Sequence, residues 1–172
     1  MRIINLGLPK TGTKSLKFAL KTLGFIEGEK DDFPETPDRF YSFDWVHHVD
    51  HKELIKKYPD SVFLLTYRDP EKWYRSECKW SLLPHHLRIP WLLDQRTRLY
   101  GYPMPQGHKA EYIKRYEQYY RSTIDYFYLI NKMIYLFEWR EGDHKENWRQ
   151  LCDVFKKPIP NIDFPHENKQ KF

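Results

Sequence analysis

Apolar residues follow two rhythms along this chain. Arg2 to Leu6, Ser61 to Tyr67 and Met133 to Trp139 are short apolar runs without alternation. All three read as strands, and the continuous run at Ser61 should be covered on both faces, as in a parallel sheet. Elsewhere the apolar positions recur at helical spacing. Leu16, Ala19, Leu20 and Leu23 share a face over Lys14 to Leu23, and Gly24 is a natural stop. Ile113, Tyr116, Tyr120, Ile124 and Phe127 define a long helix over Lys109 to Asn131. Trp148, Leu151, Cys152 and Phe155 do the same over Asp143 to Phe155, where Asp143 and Glu146 have the form of a capping box. His51 to Tyr58 reads as a further helix, and Phe25 to Glu27 as a short second strand. After the run at Ser61, Asp69 suits an N-cap and Pro70 the first helical position.

Strand–helix alternation with short connections implies a layered α/β fold, three layers deep (α/β/α), around a small, mostly parallel sheet. No repeat or linker divides the sequence, so residues 1–172 read as one domain. Asp31 to Asp38, charged and proline-containing, reads as a surface loop or short turn. Residues 82–107 carry prolines and aromatics with no clean period and read as an irregular insertion, a candidate lid over an acceptor site.

Composition narrows the partners. Aromatic residues make up 17% of the chain, so Tyr and Trp supply much of the packing and line any pocket. The formal net charge is +5, which favours an anionic ligand. The Lys and Arg residues are dispersed with no block of like charge, so a nucleic-acid arm is not indicated. Cys78 and Cys152 show no metal spacing and read as reduced thiols. No apolar run approaches a membrane span, and the N-terminal run is too short for a signal peptide. The expectation is a cytoplasmic protein.

The segment with the most chemistry is Gly7-Leu8-Pro9-Lys10-Thr11-Gly12-Thr13-Lys14-Ser15. A buried strand running into a glycine-bearing, lysine-bearing loop and then a helix is a phosphate cradle: backbone N–H groups point at anionic oxygens, and the helix start adds positive potential. The glycine spacing is that of the P-loop, G-x-x-x-x-G-K-[ST], but Thr13 follows Gly12 and the lysine has moved into the loop as Lys10. A second constellation closes the central strand. Arg68 stands at its end and Ser76 lies eight residues on, two turns into the next helix, so both can converge on one anion.

Lys10 within Pro-Lys-Thr-Gly-Thr, together with Arg68 and Ser76, resembles the donor-binding motifs of sulfotransferases. Tyr58-Pro59-Asp60-Ser61, Arg68 to Ser76, and a tail of Trp148-x-x-Leu151-Cys152, Lys157-Pro158-Ile159-Pro160 and Phe164-Pro165-His166-Glu167-Asn168 extend the likeness to the short, soluble members of that family. The resemblance implies a P-loop-type fold and 3′-phosphoadenosine-5′-phosphosulfate as donor. It also implies adenosine 3′,5′-bisphosphate as product, and a hydroxyl or amine of a small molecule or carbohydrate as acceptor. Pro9, Lys10, Thr11, Gly12, Thr13, Lys14 and Ser15 would hold the 5′-phosphosulfate, with Lys10 beside the bridging oxygen, and Arg68 and Ser76 the 3′-phosphate. Ser15 stands where many cytosolic members carry a Trp.

Sulfuryl transfer demands positioning and charge neutralisation, and no metal is expected. The acceptor must lose a proton, so a base is needed nearby. His48, His47 and Asp44, upstream of the Arg68 strand, are the candidates. Two other readings compete. One is a P-loop kinase of a small molecule using ATP and magnesium, disfavoured by the displaced lysine. The other is a non-catalytic anion- or polysaccharide-binding protein on the same scaffold.

Overall fold

The computed structural model describes residues 1–28, 39–42, 51–84 and 89–166. In chain order the elements are β1 (Ile3–Asn5), α1 (Thr13–Thr22), β2 (Ile26–Glu27), β3 (Arg39–Ser42), α2 (His51–Lys57), β4 (Val62–Tyr67), α3 (Pro70–Ser81), α4 (Pro90–Tyr100), α5 (Lys109–Leu129), β5 (Tyr135–Glu138) and α6 (His144–Phe155). They fall into two compact units, Met1–Arg68 with Met133–Phe172, and Asp69–Lys132. Neither junction carries linker composition, because the chain passes directly from Arg68 into the Asp69 helix cap and from Lys132 into the approach to β5.

The first unit is α/β. Its five strands are all parallel and lie in the order β2-β3-β1-β4-β5, flanked by helices. Ile3, Phe40, Leu64 and Phe137 line one face and pack against Leu16, Ala19 and Leu20 of α1, Trp148 and Leu151 of α6, and Phe164 of the tail. Ile4, Phe63 and Leu65 alternate with them and are equally buried, which explains the unbroken apolar runs of β1 and β4, whereas Leu136 of edge strand β5 is exposed. Burying each such side chain is worth about 1.5–3 kcal/mol. The tail is stapled by Trp148 Nε1 donating to the Ile162 carbonyl at 2.8 Å, with Phe164 edge-on to Trp148. Edge strand β5 is blunted where the Gln150 amide bonds both the Glu138 N–H and its carbonyl. Strand β3 is absent from the sequence reading. It is four residues long, and its pairing with β1 rather than any period of its own makes it a strand.

The second unit consists of α3, α4 and α5. Helix α4 occupies much of the stretch that the sequence presents as irregular, which corrects that expectation. Its buried positions are Leu92, Gln95, Arg96 and Tyr100, a helical spacing filled mostly by polar or amphipathic residues. Arg96 Nε donates to Glu77 Oε1 at 3.0 Å, both side chains being 2% exposed, and the guanidinium lies 4.9 Å from the Trp80 ring. Around this pair Trp73 stacks on Tyr116 at 4.2 Å and Tyr100 on Tyr112 at 4.6 Å. Burial, and then the nearby Glu77 charge, push the Tyr100 phenol well above its ordinary range. Helix α5 buries Tyr112, Tyr116, Tyr120, Thr123 and Phe127. Its inward face is thus rotated from the expected one: Ile113 is half-buried and Ile124 is exposed. Of the aromatics in and beside that stretch, Tyr100 is core, Trp80 of α3 faces the Arg96 guanidinium, and Trp91 and Tyr102 are exposed.

Candidate functional site

Strand order locates the site. From β1 the chain moves towards β2 and β3, whereas from β4 it moves towards β5 on the other side. The switch point therefore lies between β1 and β4, and ligands of open parallel sheets bind outside the carboxyl ends of strands at such a point. The loop that follows β1 and Arg68, the first residue after β4, both emerge there.

A polar network welds the loop to β4. Asn5, 1% exposed, accepts from the N–H groups of Gly7 and Thr66, each at 3.1 Å. Its amide donates to Thr66 Oγ1 at 3.3 Å. Thr11 Oγ1 donates to the Leu8 carbonyl at 2.5 Å and lies 2.8 Å from Thr66 Oγ1. A carbonyl can only accept, so the Thr11 proton is committed to Leu8 and Thr66 must donate to Thr11. Both hydroxyl hydrogens in the chain Asn5–Thr66–Thr11–Leu8 are thereby assigned. Gly7 is required by close approach: a Cβ there would lie 1.8 Å from Thr66 Oγ1 and 2.7 Å from the Thr66 carbonyl oxygen.

Within the loop, Lys10 has φ 67°, a left-handed conformation that costs a non-glycine residue roughly 1–2 kcal/mol. The Thr11–Leu8 bond of the network closes the turn around it. Gly12 follows with φ 93°, and a Cβ there would meet the Trp139 ring at 3.3 Å. As the N-cap of α1, Gly12 supplies no side-chain cap, and the first turn holds no acid. The leading N–H groups of a helix have no intrahelical acceptor, and their positive potential suits an anion.

The sequence-derived residues fall as follows. Pro9, Thr11, Thr13 and Ser15 are buried, Lys10 and Gly12 half-buried, and Lys14 exposed. The Thr11 hydroxyl points inward, so Thr11 can serve an anion only through its backbone. Arg68, 19% exposed, places Nη2 at 3.8 Å from Glu141 Oε2. Ser76 is half-buried on α3 in the second unit, and Asp69 Oδ1 caps that helix by accepting from the Lys72 N–H at 2.9 Å. Asp44, His47 and His48 lie outside the described residues. Among the described residues no three His, Cys, Asp or Glu side chains gather as a metal site, and no helix is long and apolar enough to cross a membrane.

Asn5, Thr66 and Glu141 escaped the sequence reading. Asn5 and Thr66 did leave a signal, since each is a polar residue set inside an apolar strand next to the loop end.

A five-stranded parallel sheet with a lysine-bearing loop in the left-handed region at its switch point defines a protein of the α/β class. More narrowly, the chain belongs to the sulfotransferase domain family, whose model matches residues 29–172. The loop at residues 7–15 precedes the matched segment. The chain is also similar to Ava biosynthesis cluster protein M of Aspergillus versicolor, at 22% identity over 223 aligned positions covering 96% of this chain and 80% of that protein.

Proposed function

We propose that this protein moves a sulfuryl group from 3′-phosphoadenosine-5′-phosphosulfate to a hydroxyl or amine of a small-molecule or carbohydrate acceptor. The observation that carries the reading is the Asn5–Thr66–Thr11 network, which fixes the Lys10 loop against the strand that delivers Arg68, in a chain of the sulfotransferase domain family.

In the proposed reaction the bond between sulfur and the bridging oxygen of the donor breaks as the acceptor oxygen or nitrogen bonds to sulfur in line. The acceptor proton passes to a base drawn from Asp44, His47 and His48. Negative charge grows on the 5′-phosphate leaving oxygen, where Lys10 offsets it, aided by the backbone N–H groups of residues 11–15 at the start of α1. Arg68 and Ser76 hold the 3′-phosphate, which separates this donor from ATP. A paired Arg fork suits phosphate geometry. No metal takes part, since the migrating sulfuryl group carries less charge than a phosphoryl group. We place the reaction in the cytoplasm.

The test is transfer of radiolabelled sulfate over a panel of acceptors, run beside calorimetry with adenosine 3′,5′-bisphosphate. Binding of the bisphosphate without magnesium, together with a labelled product, supports the reading. Preference for ATP with magnesium overturns it.

A further inference from the structure

We propose that Glu141 is an internal competitor for Arg68: its carboxylate holds the guanidinium in the empty enzyme, is displaced by the 3′-phosphate of the donor, and so loosens the grip on the spent nucleotide. The inference rests on the donor reading above and adds a residue that tunes the same site.

Sheet register brings the two residues together. β4 and β5 are neighbours, with Tyr67 opposite Glu138, and Trp139 N–H extends the ladder by donating to the Tyr67 carbonyl at 2.8 Å. The two strands therefore leave the carboxyl edge side by side, one continuing as Arg68 and the other as Arg140-Glu141. The loop after β5 is then clamped. Asn147 accepts from the Arg140 N–H at 3.1 Å and donates to the Arg140 carbonyl at 2.7 Å. The Arg140 side chain is taken by Glu138 at 2.9 Å and faces Glu146 at 3.9 Å. Gly142, with φ 80°, turns the chain into α6. With residue 140 fixed in this way, Glu141 is presented towards Arg68.

The contact is ionic but loose. Its 3.8 Å separation exceeds the roughly 2.7–2.9 Å of a charge-assisted hydrogen bond. The Glu141 side chain is 53% exposed, so it can swing into water at little cost. A phosphate dianion offers more charge and more acceptor oxygens than one carboxylate, and wins Arg68 when present. A nucleotide without a 3′-phosphate leaves the Arg68–Glu141 pair in place.

The test measures adenosine 3′,5′-bisphosphate and adenosine 5′-monophosphate by calorimetry on the wild type, Glu141→Gln, Arg68→Ala and the double variant, with thermal melts confirming that each folds. Glu141→Gln should bind the bisphosphate about threefold to fivefold tighter, the worth of a partly exposed ion pair. Stopped-flow dissociation should slow to match. Affinity for the monophosphate should not change, and the gain should vanish when Arg68 is Ala. Weaker or unchanged bisphosphate binding in Glu141→Gln overturns the inference, as does an equal gain for the monophosphate or a gain that survives Arg68→Ala. If the wild type fails to bind the bisphosphate, or Arg68→Ala binds it as well as the wild type, the donor reading fails and takes this inference with it. Silence of Glu141→Gln alone leaves the donor reading standing.

Discussion

Helices α1 and α6 each follow a strand of the same parallel sheet, β1 in one case and β5 in the other, but their first turns are built differently. In α6, Asp143 accepts from the Glu146 N–H at 3.1 Å, and Glu146 adds a carboxylate to the first turn. Half of the expected capping box is present, since the Glu146 carboxylate turns to Arg149 at 2.6 Å instead of back to the cap. In α1 the cap is Gly12 in the left-handed region, a conformation far from the extended backbone an Asp or Ser cap adopts, and no acid follows. One helix start is closed by its own side chains for stability. In the function proposed above, the other receives the 5′-phosphosulfate of the donor. On that proposal, the difference separates a structural connection from a binding one within a single construction.

Removing the cation should have the largest effect. Lys10→Ala should reduce sulfate transfer by about 100-fold or more, the typical loss of a group that stabilises developing charge, while bisphosphate binding falls much less. Near-normal transfer in the labelled-sulfate assay would remove Lys10 from the chemistry. Making α1 resemble α6 comes next. Lys14→Glu puts an acid in the first turn at an exposed position, so helix stability should hold or rise by about 0.5 kcal/mol. Bisphosphate affinity should drop about tenfold, equivalent to roughly 1.4 kcal/mol. Thermal melts and calorimetry on one preparation would show the two effects moving in opposite directions.

The converse change in α6 is smaller. Asp143→Ala should cost about 1 kcal/mol in urea unfolding, the usual worth of a lost cap, with little change in nucleotide binding. The smallest effect is in acid. Hydrogen bonds from Arg149 hold the Glu146 carboxyl below its ordinary value. A carboxyl lowered in the folded state contributes fully above its unfolded value, and that contribution fades as pH falls through the folded one. Any urea-midpoint difference between the wild type and Glu146→Gln should thus be present at neutral pH and disappear in strong acid.

Several parts of the fold were legible from local pattern. The runs at β1, β4 and β5 and the faces of α1 and α6 emerged because burial on one or both sides imposes a period that survives in the sequence. Asp69-Pro70 marked the start of α3 for the same local reason. Helix α4 was hidden because its inward positions include Gln95 and Arg96, and hydrophobic periodicity does not register a buried charge. On α5 the Tyr-rich composition let two neighbouring faces compete, and packing against Trp73 favours the one with Tyr112 and Tyr116.

The sequence by itself determined the kinds of group at the site: glycines where the chain must turn tightly or pass close, a lysine inside the loop, and an arginine at a strand end. Only the tertiary structure decided their partners. Asn5 meets Thr66, Arg96 meets Glu77 and Arg68 meets Glu141 because the order of strands or the packing of helices sets them side by side. Such pairings depend on which segments become neighbours, a choice made by the burial of the whole core and not by spacing within any one stretch of chain.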